Sequence, residues 1–431
     1  MQKQYQTNSN TKMDANLLKL KEFLVNAISH EMQNQSSGNQ QNRQAVRLLV
    51  LEAFEQAKIN LNTETRDLVV DSALADLIGY GPLEVLLPDP DISEIMVNGS
   101  NQVFVERNGE LLETDVKFEN DDHLLRIIDR IVSPLGRRVD SDNPTADARL
   151  PDGSRVNVII QPVAVDGPHL TIRKFLQTKI TMDDLVSMGA LTPYMAKFLE
   201  ACVVTRLNVL VTGNTSSGKT TVLNALSGFI PDNERIVTIE DAVELKLKQR
   251  HVVRLETKLP NVDGTGAVSV RDLVRNALRM RPDRIVVGEV RGGEAMDMLQ
   301  AMNTGHTGSL TTLHANLPRD AVSRLETMSM MAGLDMPLLA IRKQIAAAIN
   351  LIVHLARLAD GSRMMTHITE LSGMEGEVVT LTDIFKYEQT GVSPEGKING
   401  QIRPTGMRPL FTRRLETSGY KLGGEIFGAG L

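Results

Sequence analysis

Gly213-Asn214-Thr215-Ser216-Ser217-Gly218-Lys219-Thr220 follows an apolar run, Leu207 to Val211, and opens a helical pattern through Val222, Leu223 and Leu226. Strand, glycine-rich turn, helix is the setting that a phosphate-binding loop requires. Glycines let the backbone curl so that successive N–H groups point at phosphate oxygens, and the following helix adds its positive N-terminal end. Lys219 is expected to reach the β- and γ-phosphates, and the Thr220 hydroxyl to help hold Mg²⁺. Gly213, Thr215, Ser216, Ser217, Gly218 and Thr221 complete the expected contact set. A glycine/serine surface turn is the bland alternative, but it does not call for a strand before it and a helix after it. The loop predicts a bound nucleoside triphosphate, ATP with Mg²⁺.

Downstream, runs that end in acids alternate with helical stretches, as in a mostly parallel α/β sheet. Arg235 to Ile239 ends at Glu240-Asp241, Arg284 to Val287 at Gly288-Glu289, and Ser309 to Leu313 at His314. Helices are expected over Val270 to Met280 and Glu294 to Met302, with a loop at Pro260 to Gly266. From about Asp360 the chain reads as irregular, and 419–431 as a flexible end. Upstream, residues 1–44 read as a disordered tail. Within it Leu17, Leu20, Leu24, Ala27 and Ile28 mark a marginal helix capped by Asp14. Lys19 and Lys21 beside that stripe leave a membrane-surface or partner helix as the alternative. Residues 45–90 predict a helical bundle ending at a Pro88-Asp89-Pro90 domain boundary. Residues 91–178 predict an α+β domain with hairpins, 179–190 a linker, and 191–418 an α/β nucleotide domain with a C-terminal extension.

Composition bounds the function. The chain has 431 residues, enough for two or three domains, and 42% of them are hydrophobic, enough for full cores. A formal charge of -6, no Trp and only 3% aromatics argue against a mainly nucleic-acid-binding protein. Cys202 is the single cysteine, so neither a disulfide framework nor a cysteine zinc site is expected. No signal-peptide pattern opens the chain. The most apolar segment, Ala346 to Ala356, is short and carries Asn350 and His354. A cytosolic protein is expected.

Cleaving a triphosphate needs a held metal, an aligned water and neutralised charge. Carboxylates for this sit where strands end beside the phosphate loop. Glu240 and Glu289 both fit. Glu289 takes the place of the Mg²⁺-site carboxylate acting through water, and Glu240 orients or deprotonates the attacking water; which of them is the base stays open. His314 closes the strand after Gly305-His306-Thr307-Gly308 and is the candidate γ-phosphate sensor, with His306 the weaker one. Arg149, Arg155 and Arg173 lie on or beside strands outside the nucleotide domain, as edge charges or as fingers reaching a neighbouring subunit's nucleotide. Arg279, Arg281 and Arg291 bracket the Glu289 strand as further clamps or as surface charge.

With these residues in place the chain resembles a known family. Gly213 to Thr220, Ile239-Glu240-Asp241-Ala242-Val243-Glu244, Arg281 to Gly292, and Thr304 to Ser309 through His314-Ala315-Asn316 resemble, in order, the Walker A, Asp box, Walker B and His box of type II/IV secretion ATPases. Gly81-Pro82-Leu83, Ile95-Met96-Val97-Asn98-Gly99, Gly136-Arg137-Arg138-Val139-Asp140 and Asp147 to Asn157 are similar to the CpaF branch, the motor of tight-adherence (Flp-type) pili. The resemblance covers about 45 to 415. It implies a homohexameric ring on the cytoplasmic face of the inner membrane, ATP hydrolysis coupled to domain motion, and an inner-membrane platform protein as partner. It places the family's glutamates on Glu240 and Glu289, its histidine on His314, and its mobile-domain arginines among Arg149, Arg155 and Arg173. The four-cysteine zinc module of some relatives is missing. The rivals are a RecA-like nucleic-acid translocase and a non-hydrolysing nucleotide-binding scaffold; a small-molecule kinase lacks an acceptor-binding insertion.

Overall fold

The computed structural model describes residues 4–5, 13–34, 43–175, 180–260, 264–394 and 396–428. The chain divides into two compact units, Met1–Gln177 and Thr178–Leu431.

The first unit opens with a two-residue strand, β1 (Gln4–Tyr5), and three helices, α1 (Ala15–Asn34), α2 (Arg43–Gln56) and α3 (Thr63–Ile78). Asp14 caps α1, its carboxylate accepting the N–H groups of Asn16 and Leu17, both at 2.9 Å. Leu20, Leu24 and Ile28 are buried against Val46, Val50 and Phe54 of α2 and Val69, Ala73 and Leu74 of α3. This corrects the expected disordered tail over α1. Stripes too short to hold a helix alone become stable by burying one another. The rest of that tail, 1–3, 6–12 and 35–42, lies outside the described residues. Lys21 is no surface charge: its ammonium lies 2.7 Å from Asp76 and 2.6 Å from Glu119. Burial alone would depress its pKa, but the two carboxylates outweigh it and hold the value above that of an ordinary lysine.

The sheet of this unit comprises β2 (Ile92–Asn98), β3 (Gln102–Arg107), β4 (Glu110–Thr114), β5 (Thr145–Arg149), β6 (Arg155–Ile159) and β7 (His169–Arg173), with α4 (Asp121–Val132) between β4 and β5 in sequence. Its order is β1-β4-β3-β2-β7-β6-β5. Only β1 with β4 is parallel. Pro88-Asp89-Pro90 is not a domain boundary. Leu83 and Leu86 before it share one core with Ile92 and Ile95 after it, and Arg130 of α4 donates to the carbonyls of Gly79 and Asp76 at 2.6 and 2.8 Å. Two prolines interrupt secondary structure; they do not by themselves divide a core.

The second unit starts with α5 (Met182–Ser187), closed by a capping box between Thr181 and Asp184. The expected 179–190 linker is therefore partly helical, with Met182 and Leu185 in the core. There follow α6 (Pro193–Val204), β8 (Val209–Gly213), α7 (Lys219–Ser227), β9 (Ile236–Glu240), β10 (Val252–Glu256), α8 (Val270–Ala277), β11 (Arg284–Val287), α9 (Glu294–Asn303), β12 (Leu310–His314), α10 (Pro318–Met330), α11 (Leu338–Ala348) and β13 (Leu351–Arg357). The chain continues through β14 (Arg363–Glu375), β15 (Val378–Val392), β16 (Ile398–Pro404) and α12 (Thr412–Thr417). The sheet order is β10-β9-β11-β12-β8-β13-β14-β15-β16. Strands β8 to β13 run parallel to one another, and β14 to β16 add antiparallel pairs. One strand, β12, separates the phosphate-loop strand β8 from the acidic strand β11, as in a RecA-like domain. Every residue of β8, β9 and β11 is buried, because each face of the sheet carries its own core. The fold is α/β: a RecA-like P-loop domain preceded by a smaller α+β unit that includes the helical bundle.

Two expectations about the C-terminal region are corrected. The stretch from Asp360 is a set of long hairpins. Register shifts at Ile368/Thr369 and Leu371/Gly373 break its two-residue alternation, which made the strands unreadable in sequence. The end from Gly419 is packed: Leu422, Ile426 and Phe427 are buried, and the Phe427 ring lies 5.9 Å from that of Phe198. Residues 429–431 lie outside the described set. No helix among the described residues is long and apolar enough to cross a membrane.

Candidate nucleotide site

Strand register assembles the site. His314 pairs with Gly213, Val287 with Ile239 and Val287 with Thr311, so the phosphate loop and the residues following these strands open on one edge of the sheet. Gly213 has φ 155°, and a Cβ there would meet the Leu355 carbonyl oxygen at 2.4 Å and the Ser217 hydroxyl at 2.5 Å, space that only glycine leaves. Ser217 and Lys219 are buried, whereas Thr215 and Ser216 are exposed and Thr220 and Thr221 half-buried. Gly218, the N-cap of α7, offers no side-chain cap, so the helix's first N–H groups are left for a ligand in the loop. A polyphosphate fits this chemistry.

Lys219 folds onto its own loop. Its ammonium donates to the Asn214 carbonyl at 3.0 Å and lies 3.3 Å from His314 Nδ1. Burial lowers its pKa, against the opposing pull of Glu289. His314 Nε2 lies 2.9 Å from Glu289 Oε1, so one imidazole bridges the loop lysine and the acid. Burial also lowers the His314 pKa; Glu289 opposes this and Lys219 adds to it. The ring is thus held neutral further into acid than an ordinary histidine. The other Glu289 oxygen takes Arg291 Nε and Nη2 at 2.9 and 2.7 Å. Arg291 is therefore a partner of the acid, while Arg279 and Arg281 are exposed. A cavity of about 600 Å³ opens beside the loop, lined by Asn214, Thr215, His314, Asn316, Asp320 and Arg324 among others.

Glu240 is buried, and its Oε2 accepts the N–H groups of Glu244 and Leu245 at 2.8 and 3.0 Å. Its side chain fixes the loop that follows it. Gly288 leaves room for it, since a Cβ there would sit 3.0 Å from Glu240 Cγ. His306 is turned to the Pro282 carbonyl at 3.3 Å, a packing role. In the first unit Arg149 stands opposite Arg155, Arg155 opposite Arg173, and Arg173 opposite Glu94, forming one lateral row across β5, β6, β7 and β2. Arg173 Nε meets Glu94 Oε1 at 2.8 Å. Register gathers arginines that the sequence separates.

Two residues at the loop escaped the sequence reading. His354 lies beneath it, Nδ1 2.8 Å from the Thr212 hydroxyl, with its pKa pushed down to about 4 chiefly by burial. Arg363 donates Nε to the Ser216 carbonyl at 3.0 Å. The only signal for His354 was a polar residue inside an apolar run; Arg363 had none.

Phosphate loop, strand-end acid and bridging histidine stand together on a P-loop, RecA-like fold. A sequence profile of the family described as "Type II/IV secretion system protein" matches residues 76–393. The chain belongs to the type II/IV secretion system ATPase family. A putative conjugal transfer protein of Mycobacterium tuberculosis is 38% identical over 313 residues, 71% of this chain and 88% of its own length. A type IV secretion system protein of Bartonella quintana is 31% identical over 328 residues, covering 67% of this chain and 90% of its own. Among solved structures, the type IV secretion ATPase of Brucella suis is 29% identical, with 67% of this chain and 95% of that one covered, at a TM-score of 0.38.

Proposed function

We propose that the chain is an ATP-hydrolysing motor subunit, working as a homohexamer on the cytoplasmic face of the inner membrane, that powers assembly of tight-adherence (CpaF-type) or related type IV-like pili. The observation that supports this most is the contact of His314 with both Lys219 and Glu289. In this reading Gly213 and Thr215 to Thr221 cradle the phosphates, and Lys219 exchanges the Asn214 carbonyl for the β- and γ-phosphates. Thr220, with Glu289 acting through water, would hold Mg²⁺, which neutralises charge on the departing phosphoryl group. Glu289 is drawn off His314 or Arg291 as the nucleotide enters, and the neutral His314 senses the γ-phosphate. Glu240, fixed by two backbone N–H groups, aligns the attacking water; the base is one of these two glutamates. The arginine row of the first unit supplies charge to a neighbouring subunit's nucleotide. An inner-membrane platform protein receives the motion.

Glu289→Gln should keep ATP affinity while phosphate release falls about 100-fold or more, and Lys219→Ala should lose both. A Lys219→Ala protein with undiminished affinity and turnover would overturn the reading, and a scaffold would show no turnover to lose. ATPase activity unmoved by added DNA is expected and disfavours a nucleic-acid translocase. The relatives named for conjugal transfer and type IV secretion favour a second reading, the same motor serving a secretion channel. Deleting the gene distinguishes the two: surface pili disappear under the first, and macromolecular transfer stops with pili intact under the second.

A further inference from the structure

Arg363 sits outside every motif that marks the nucleotide site, yet the fold carries it to the phosphate loop. On one side of β13, Leu355 pairs with Gly213; on the other, Arg357 stands directly opposite Arg363. Like charges placed opposite each other across a ladder cost stability. Ser216 has φ 58°, in the left-handed region, and its carbonyl accepts Arg363 Nε at 3.0 Å. The arginine then lies over Gly218: a Cβ there would be 3.8 Å from Arg363 Cδ. Arg363 thus stands beside the start of α7, against the loop that also carries Lys219, where the helix N-terminus favours an anion. The turn behind Arg363 is stiff. The Asp360 carboxylate accepts the Ser362 N–H at 3.0 Å, the Ser362 hydroxyl at 2.6 Å and, from the β16 side, the Ile398 N–H at 2.8 Å.

We infer that Arg363, with Arg357 beside it, is a further nucleotide-binding residue that grips the phosphates common to ATP and ADP and holds Ser216 so that the loop stays open to them. The inference rests on the phosphate-loop reading and adds a clamp from the antiparallel extension to it. Fluorescent ADP and ATP analogues titrated into the full chain test it, with Lys219→Ala, Arg363→Ala and Arg363→Lys compared with the unchanged protein. Arg363→Ala should weaken ADP and ATP equally, by about tenfold, the scale of one charge-assisted hydrogen bond. KM for ATP should rise by a similar factor while kcat changes little. Arg363→Lys should recover some of the affinity, keeping the charge but losing the fork. The nucleotide-free melting temperature of Arg363→Ala should stay close to that of the unchanged protein, because Arg363 is exposed and its hydrogen bond to Ser216 lies at the surface. The inference is overturned by ADP affinity within about twofold of the unchanged protein. It is overturned equally by weakening of ATP alone, or by loss of affinity that tracks a lowered melting temperature. If the unchanged protein binds neither nucleotide, the phosphate-loop reading fails and takes this inference with it.

Discussion

His314 is shared by two groups of opposite charge. Glu289 favours its protonated form, while burial and Lys219 oppose it more strongly, and the pKa falls below the ordinary value. Removing the carboxylate takes away the one nearby raising influence, so Glu289→Gln should move the His314 titration further into acid, read by NMR of the ring. An unmoved titration would show that the 2.9 Å contact carries no charge coupling. His354 obeys the same physics with a consequence for stability. Its folded pKa of about 4 lies below the unfolded value of about 6.5, so the unfolded chain binds the extra proton between them. Stability is full above pH 6.5 and is lost as pH falls toward 4, by up to roughly 3 kcal/mol. His354→Gln should flatten the melting temperature over that pH range; an equally steep curve would place the sensitivity elsewhere.

Elements are locked to one another by buried charge. Arg284 at the start of β11 is fully buried, its Nη2 lying 3.2 Å from Glu234 Oε1 and its Nη1 donating to the carbonyls of Val203 and Gly308 at 2.9 and 3.1 Å. Gly308 is glycine for this reason: it has φ 83°, and a Cβ would fall 2.0 Å from Arg284 Nη1. Arg284→Met should cost about 3–5 kcal/mol in denaturant unfolding, because Glu234 is left with only the half-exposed Arg206 at 3.4 Å. In the first unit Lys21 fills the space between Asp76, Glu119 and His123, a grouping of ligand atoms close enough for a cation. An ammonium already occupies that role. Lys21→Met should strip Asp76 and Glu119 of the ammonium they share and loosen α1, seen as faster amide exchange over 15–34 with α3 less affected. Unchanged protection would mean that the Leu20–Leu24–Ile28 stripe suffices alone.

At the scale of the molecule the arginine row and the nucleotide loop belong to separate compact units. If the row acts on a neighbour's nucleotide, turnover per chain must depend on assembly. ATPase activity per subunit should rise with protein concentration and with a slowly hydrolysed ATP analogue, in step with a larger species in sizing. Replacing Arg149, Arg155 and Arg173 together should lower kcat by about 10³-fold or more while ATP still binds. A monomer with concentration-independent turnover would remove the motor from consideration.

The local pattern determined much here. The phosphate loop, the strands ending at Glu240, Glu289 and His314, and the α/β alternation are set by contiguous residues, and burial on both faces leaves uninterrupted apolar runs that can be read directly. Tertiary structure decided what depends on distant partners. Helix α1 is ordered because α2 and α3 cover its stripe. The long hairpins after Asp360 hide behind bulges that break their alternation. Glu240 serves as a loop anchor, Lys21 as a buried counter-charge, and Arg363 as a neighbour of the phosphate loop because register and packing bring together groups that stand far apart along the chain. A residue's type limits its chemistry, whereas the field it feels is set by neighbours that no local pattern contains.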